Sequence, residues 1–364
     1  MKRLTQIATL VVVALFAACS NKVVVRDTEP HYTPRYAQGF TIERDKVSGA
    51  KLLCVKNPWQ GAENVVYHYE IDTLEPPQRI IAMSSSHAAM LDAVGCTERI
   101  VGISGCRYIY TPSICQAIAH GDICEVGYDT AFDFEKISSL KSDLVLLYGV
   151  AGEAKGMTSK LDELGIHYIY IGDYLENSPL GKAEWIVAIA SLCGVETEGE
   201  KFFNEVEERY NALRNKQHCS AYKPRVMLNL PYRDTWFMPP QNSYIVQLIK
   251  DAGGEYIYLE NNTNASKPIS LEEALIHASR ADFWINLGQI ASVEELKATA
   301  PRFAKVEAVR CGRLYNNTKR TNESRGSDFW ESGAIRPDLI LRDLVQILHH
   351  EAPADSLHYY TKLR

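Results

Sequence analysis

From about residue 79 onward, short apolar runs alternate with segments in which apolar positions recur at helical spacing. Short apolar runs bounded by polar residues are typical of buried strands, and the helical recurrence is typical of amphipathic helices. The pattern predicts a hairpin over 51–55 and 64–69, strands over 79–83, 99–103, 143–148, 167–171, 225–230 and 282–286, and helices over 87–94, 134–140, 158–164, 243–252 and 271–278. Because strands alternate with helices, we expect parallel sheets that are covered on both faces.

The same plan occurs twice in the sequence. The segment 91–95 (LDAVG) corresponds to 249–254 (IKDAGG), and the pair Phe134-Glu135 corresponds to Leu271-Glu272. Between the halves, Ser178 and Pro179 are signals for the start of a helix, and a second helix follows over 196–215. The repeat therefore predicts two lobes, a stiff helical connector, and a ligand cleft beyond the carboxyl ends of the strands.

The N-terminus has the pattern of an export signal. Lys2 and Arg3 precede an apolar run over 7–18, which is shorter than the roughly 20 residues that a membrane-spanning helix needs. Small residues then precede Cys19, as in the lipobox of bacterial lipoproteins, although Phe16 stands where that pattern usually has Leu. We predict lipidation of Cys19; an ordinary signal peptide with an incidental cysteine is the alternative.

Composition and charge exclude several function classes. The chain has 364 residues, 46% hydrophobic and 23% charged, with a formal net charge of −6, so a disordered or multi-span membrane protein is excluded. An acidic chain lacks the surplus of Lys and Arg that binding to nucleic acid needs. No pair of its cysteines is spaced as C-x-x-C; Cys106, Cys115 and Cys124 could supply one disulfide, and buried free thiols are the alternative.

Motifs for catalysis or for a bare metal ion are missing from the sequence. It contains no G-x-G-x-x-G after a strand, no Walker A motif, no G-x-S-x-G and no H-x-H or H-E-x-x-H. The run 84–87 (SSSH) superficially suggests a hydrolase, but helix capping explains its serines. We therefore predict no catalytic residues and no metal-ion site, with a hydrolytic α/β enzyme and a cell-surface scaffold as the rival interpretations.

The order and spacing of several segments resemble those of a known family. The segments are 79–105, 126–127, 132–137, 141–146 and 161–166 in the first half, and 224–226, 247–254, 269–272 and 336–340 in the second. Together they resemble the binding proteins of ABC importers for cobalamin, haem and ferric siderophores. The resemblance implies an α/β fold with two Rossmann-like lobes, parallel-rich sheets and a rigid helical connector. The expected division is a signal peptide (1–18), a tether (19–37), an N-terminal lobe (38–177), connecting helices (178–216) and a C-terminal lobe (217–364).

The resemblance also implies partners and a location. We expect a monomeric bacterial lipoprotein that is anchored to a membrane in the periplasm and docks on the transmembrane subunits of an ABC permease. Family members present one surface glutamate per lobe to the permease, and Glu135 and Glu272 match those positions, with Glu273 as an alternative to the second. The ligand would be a chelated metal carried as cargo, and no intrinsic cofactor is expected.

Loops that follow the predicted strands supply the candidate cleft residues, and most of these are polar, aromatic or basic. They are Ser86, His87, Arg107, Tyr108, Tyr110, Tyr148, Tyr174, Tyr232, Arg233, Trp236, Arg325 and Trp330. Arginines bind anionic oxygens and aromatic rings give flat walls, so a ferric siderophore is the first expectation. A corrinoid or haem is the alternative, with His87 or a tyrosine as a metal ligand.

Overall fold

The computed structural model of the protein describes residues 27–128, 131–150, 152–217, 222–349 and 353–364. The predicted signal peptide and the predicted lipidation site Cys19 lie outside these residues. Among the helices of the described chain, none is both long enough and apolar enough to cross a membrane.

An antiparallel sheet of four strands precedes the first lobe. It comprises β1 (Thr28–Tyr32), β2 (Phe40–Asp45), β3 (Lys51–Lys56) and β4 (Val66–Ile71), in the order β1-β2-β3-β4. The predicted hairpin is present as the pair β3–β4. The assignment of 19–37 to a tether needs correction, because β1 lies within it. The fully buried carboxylate of Glu184 also accepts hydrogen bonds from the backbone N–H groups of Arg35, Tyr36 and Ala37, each 2.8 Å long.

The first lobe is built around a five-stranded parallel sheet in the order β11-β10-β5-β6-β7. Its elements are β5 (Ile80–Ala82), α1 (Ser85–Ala93), β6 (Ile100–Ile103), α2 (Pro112–His120), β7 (Cys124–Glu125), β8 (Gly127–Tyr128), β9 (Ala131–Phe132), α3 (Phe134–Ser139), β10 (Leu144–Leu147), α4 (Lys155–Leu164) and β11 (Tyr168–Tyr170). Strands β8 and β9 form a small antiparallel pair. Helix α2 has no counterpart among the predicted elements.

Two long helices follow the first lobe, α5 (Pro179–Leu192) and α6 (Glu196–Gln217). The Ser178 side chain caps α5 by accepting a hydrogen bond from the Gly181 N–H, as the sequence predicts. Nearly all residues of α5 are buried, and α5 packs along α6. A helix that is mostly apolar and has no solvent-facing polar stripe must be covered on nearly every face, so α5 lies in the centre of the molecule.

The second lobe repeats this plan with a five-stranded sheet in the order β14-β12-β16-β17-β18, in which only β18 is antiparallel to its neighbour. Its elements are β12 (Arg225–Leu228), β13 (Thr235–Met238), α7 (Tyr244–Asp251), β14 (Glu255–Tyr256), β15 (Lys267–Ser270), α8 (Leu271–Ala278), β16 (Phe283–Ile285), α9 (Val293–Thr299), α10 (Glu307–Arg310), β17 (Leu314–Asn316), α11 (Pro337–His349) and β18 (Thr361–Lys362). Strands β13 and β15 form a separate antiparallel pair.

One local contact makes the repeat visible at atomic detail. Asp143, before β10, accepts a hydrogen bond from the Arg79 N–H before β5, at 2.8 Å. Asp282, before β16, accepts the equivalent bond from the Arg225 N–H at the start of β12, also at 2.8 Å. In each lobe, therefore, an aspartate fixes the register between the two central parallel strands.

The cysteines of the described chain are free thiols. The Cys106 thiol donates to the Ile103 carbonyl at 3.7 Å, and the Cys115 thiol donates to the Ile109 carbonyl at 3.3 Å. The structure thus favours the alternative of free thiols over a disulfide within the group Cys106, Cys115 and Cys124.

Candidate functional site

The first lobe has a topological switch point between β5 and β10. The chain leaves β5 toward β6 on one side of the sheet and leaves β10 toward β11 on the other, and open α/β sheets bind ligands at the carboxyl ends of two such strands. Ser84, whose side chain caps α1, and His87 follow β5, while Tyr148 follows β10. The predicted residues Ser86, His87 and Tyr148 therefore gather at one edge of the sheet.

A buried polar cluster lies at this edge of the sheet. The His87 side chain is fully buried; its Nε2 lies 3.5 Å from Asp173 Oδ1, and Lys182 Nζ lies 3.6 Å from Asp173 Oδ2. Burial alone raises the pKa of Asp173, but Lys182 and His87 outweigh it and hold this pKa at about 2. The nearest polar contact of the buried His87 ring among the described residues is therefore the Asp173 carboxylate.

Aromatic rings line the same cluster and connect it to the second lobe. The ring of Tyr148 lies edge-on to His87 at 6.4 Å and to Tyr174 at 6.3 Å. The Tyr174 hydroxyl donates to the Gly149 carbonyl at 2.8 Å, which fixes its ring. Lys182 Nζ also lies 5.8 Å from the ring centroid of Tyr244 in α7, so a residue of each lobe approaches this ammonium group.

A second group of predicted residues lies in the loop after β6. The guanidinium of Arg107 stacks over the Tyr108 ring at 4.6 Å, and the Tyr108 ring contacts Tyr128 with centroids 4.8 Å apart. Tyr110 receives the Arg320 guanidinium of the second lobe over its ring at 4.8 Å. Arg107 is exposed and Tyr108 and Tyr110 are half-buried, so this loop presents one cation beside two partly accessible rings.

The loop after β6 is tied directly to the second lobe. The fully buried carboxylate of Glu331 accepts hydrogen bonds from the backbone N–H groups of Tyr110 and Thr111 at 2.8 and 2.7 Å. Asn322 Nδ2 donates to the carbonyls of Arg107 and Ile109, each at 2.9 Å. These four bonds fix one lobe against the other without any ligand.

The candidates of the second lobe are more dispersed. Arg233 stacks over Tyr232 at 5.4 Å, and both are exposed in the turn before β13. Arg325 is exposed in the loop after β17, and Trp330 is 57% exposed.

The assignment of Trp236 to the cleft is wrong. Its side chain is fully buried in the core of the second lobe, with ring centroids 5.4 Å from Trp284 and 5.0 Å from Phe303. Its indole N–H donates to the Leu228 carbonyl at 2.9 Å. Alternation along β13 turns Trp236 inward and leaves Phe237 partly exposed, a register that the short apolar run did not reveal.

Glu135 and Glu272 occupy equivalent places in their lobes. Glu135 is exposed at the second position of α3, and Glu272 is exposed at the second position of α8. Glu272 pairs with Arg302 at 2.7 Å. The pKa of Glu272 is lowered because its own backbone N–H and the Arg302 guanidinium bond the carboxylate.

Comparisons with known proteins agree with this architecture. The model of the periplasmic binding protein family matches residues 80–321. An uncharacterized lipoprotein of Methanocaldococcus jannaschii is 28% identical over 299 residues, which cover 79% of this chain and 69% of the relative. A second lipoprotein of that organism is 25% identical over 347 residues, which cover 91% and 84%.

Solved structures share the fold at low sequence identity. A periplasmic heme-binding protein of Pseudomonas aeruginosa aligns with a TM-score of 0.60 at 17% identity, over 79% of this chain and 98% of that one. The periplasmic vitamin B12 binding protein of Vibrio cholerae aligns with a TM-score of 0.55 at 18% identity, over 76% of this chain and 98% of that one. A possible iron-binding protein of Staphylococcus epidermidis aligns with a TM-score of 0.58 at 17% identity, over 76% of this chain and all of that one. The predicted α/β fold with two lobes is confirmed.

Proposed function

Because the chain belongs to the periplasmic binding protein family, we propose that it is the solute-binding component of an ABC importer and binds a metal chelate between its lobes. As a member of that family it is a binding protein and not an enzyme, so the rival hydrolase is set aside. The observation that carries the proposal is the His87–Asp173–Lys182 cluster, which lies at a topological switch point and reaches Tyr244 of the opposite lobe.

Three exposed arginines support an anionic chelate, a ferric siderophore, as the ligand. Arg107, Arg233 and Arg325 lie in loops that follow β6, β12 and β17, at the carboxyl ends of the strands of both lobes. Guanidinium groups form charge-assisted hydrogen bonds with carboxylate or catecholate oxygens, and the adjoining rings of Tyr108 and Tyr232 offer flat surfaces. The metal would be transported cargo and not a resident cofactor.

The test is a titration of the mature chain with ferric catecholates, ferric hydroxamates, haem and cyanocobalamin, followed by tryptophan quenching and native mass spectrometry. We expect the anionic ferric chelates to bind most tightly, and the triple change of Arg107, Arg233 and Arg325 to alanine to weaken them at least tenfold. Arg280→Ala, at an exposed arginine after α8, is the matched control. If none of the four ligand classes binds more tightly than about 10 μM, roughly −7 kcal/mol, the proposal fails.

One observation favours haem or a corrinoid as the second candidate. His87 follows β5 at the switch point and its ring contacts Tyr148, and an imidazole is a common axial ligand of these metals. This candidate predicts a His87-dependent absorption band of the bound ligand that His87→Ala abolishes. The ferric-siderophore candidate predicts that His87→Ala changes affinity while the metal's own absorption spectrum is preserved.

A lipid anchor at Cys19 is part of the proposal. Two relatives carry the name lipoprotein, and one of them aligns over 91% of this chain. Since these relatives are archaeal, the location that they support is the outer side of the cytoplasmic membrane in general. We expect metabolic labelling with a fatty-acid analogue to mark the full-length chain and not Cys19→Ser.

Docking on the permease is assigned to Glu135 and Glu272. Two separated charge pairs with permease arginines would fix orientation while adding only modest affinity. We expect Glu135→Ala with Glu272→Ala to abolish uptake while chelate affinity stays within twofold. Glu294→Ala is the matched control, because Glu294 is also an exposed glutamate at the second position of its helix, α9. Loss of chelate affinity in the double variant would instead place these glutamates in the cleft.

A further inference from the structure

The N-terminal sheet carries a group of side chains that the transport function does not use. We propose that Glu43, Cys54 and His68 form a binding site for a divalent transition-metal ion of the Zn²⁺ class. One ligand atom from each residue, a carboxylate oxygen, the thiol sulfur and an imidazole nitrogen, lies within 4.8 Å of the other two. These residues belong to β2, β3 and β4, so the site is separate from the elements that form the cleft.

The strand register explains why the three side chains meet. Cys54 of β3 lies directly opposite His68 of β4, and on its other side lies directly opposite Thr41 of β2. Glu43 is two residues beyond Thr41, so it projects from the same face of the sheet. The group is thus held by three adjacent strands, and a rigid scaffold of this kind favours precise metal coordination.

The ligand set matches the preferences of zinc. Zinc binds thiolate, imidazole and carboxylate ligands at about 2.0–2.3 Å, and sites with three protein ligands keep a water molecule in the fourth position. His68 is exposed and Cys54 is buried, so the ion would lie at the surface with its open position toward solvent. Hard cations such as Mg²⁺ are disfavoured by a thiol and an imidazole, since they take oxygen ligands.

Two threonines orient the carboxylate of Glu43. The Thr28 hydroxyl donates to Oε2 at 2.5 Å, and the Thr41 hydroxyl donates to Oε1 at 2.8 Å. Hydrogen bonds of this kind fix the direction of a metal-binding carboxylate and sustain metal affinity. On binding, the zinc–sulfur bond forms as the S–H bond of Cys54 breaks and its proton passes to solvent, so the affinity should rise with pH.

The test uses the mature chain with Co²⁺ as a spectroscopic probe and Zn²⁺ as its competitor. We expect one equivalent of Co²⁺ to give a thiolate-to-cobalt charge-transfer band that Zn²⁺ removes. Cys54→Ser should abolish the band, and His68→Ala should weaken binding at least tenfold. Thr41→Val should weaken it by roughly ten- to a hundredfold, the usual effect of losing an outer-shell partner.

Cys311→Ser and Glu70→Gln are the matched controls, because Cys311 is an exposed thiol beside Glu307 and Glu70 is an exposed carboxylate on β4. A band that survives Cys54→Ser and disappears with Cys311→Ser would overturn the proposal, as would the absence of any band. If Cys54→Ser does not fold, the comparison of His68→Ala with Glu70→Gln still decides. Chelate binding in His68→Ala should be unchanged, which keeps this test independent of the cleft.

Discussion

Glu331 is the residue whose removal should most directly loosen the two lobes. Its buried carboxylate lies in the second lobe and accepts the backbone N–H groups of Tyr110 and Thr111 from the first. Glu331→Ala removes both carboxylate oxygens and leaves the two backbone N–H groups without their acceptors at the contact between the lobes. We expect the variant to fold, since α5, α6 and the two lobe cores are unaffected.

The magnitude follows from opposing contributions. Hydrogen bonds to a charged group contribute about 1.5–3 kcal/mol each, and a buried donor left without a partner costs about 1–3 kcal/mol. Against this, the variant recovers the cost of burying the carboxylate, and water can reach the two half-buried amides. We therefore expect a loss of about 2–3 kcal/mol in the free energy of unfolding.

The pH dependence of this loss has a defined sign. Burial raises the pKa of Glu331 above its ordinary value, so the folded chain binds a proton more readily than the unfolded chain does. The stabilisation that Glu331 provides is therefore complete below the ordinary carboxyl pKa of about 4.3, and it declines as the pH rises through the raised pKa. The difference in free energy of unfolding between the wild type and Glu331→Ala should therefore become smaller as the pH rises through the raised pKa of Glu331.

Urea unfolding at several pH values measures the free energy, and hydrogen exchange of the Tyr110 and Thr111 amides measures the local contact. A loss of 2 kcal/mol corresponds to amide exchange that is roughly 30-fold faster. Glu323→Ala is the control, because Glu323 is an exposed glutamate of the same loop. The reasoning is refuted if Glu331→Ala unfolds within about 0.5 kcal/mol of this control, a difference usual for surface changes, or if both amides keep their protection.

Three further changes test other parts of the molecule. Lys182→Met should raise the pKa of Asp173 from about 2, which carboxyl NMR titration measures. The ionised Asp173 stabilises the fold at neutral pH, and this stabilisation is lost only as the pH falls from about 3.8 to 2. The variant should therefore lower the free energy of unfolding at neutral pH by about 2 kcal/mol, measured by urea unfolding. Trp236→Phe should lower the melting temperature, through a lost hydrogen bond and a small cavity of about 1–3 kcal/mol together, yet leave chelate affinity within twofold; a tenfold loss would return Trp236 to the cleft. Glu184→Gln should speed hydrogen exchange over 35–37, since an amide cannot accept three N–H groups as a carboxylate does, and unchanged protection there would contradict this.

Local signals predicted much of the fold. Ser178 with Pro179 marked the start of α5, and the apolar run before Gly95 marked α1, because caps and helical periodicity depend on neighbouring residues alone. Helix α2 was missed, although Pro112 begins it and Gly121 ends it. Strand β1 was missed because its pairing with β2 and the anchoring by Glu184 depend on residues distant in sequence.

The site was harder to predict than the fold. The positions of His87 and Tyr148 were predicted because each follows a predicted strand, and the topology brings such positions to one edge of the sheet. Lys182 and Tyr244 were missed, because they lie inside the first turns of α5 and α7, where a charge or a ring is an ordinary helix residue. Trp236 was misplaced for the opposite reason, since a residue after a strand in the sequence can begin another strand.

The contacts between the lobes bear on how such a protein would release its ligand. Moving the two lobes apart at Glu331 would break its two charge-assisted hydrogen bonds to Tyr110 and Thr111. The two hydrogen bonds that Asn322 donates to the first lobe would break as well. Thermal motion alone would therefore open the molecule rarely, which favours affinity through a preformed cleft. In the proposed transport cycle, release would then be driven by a partner that acts on both lobes at once. The proposed docking residues Glu135 and Glu272 lie one on each lobe, which fits this requirement.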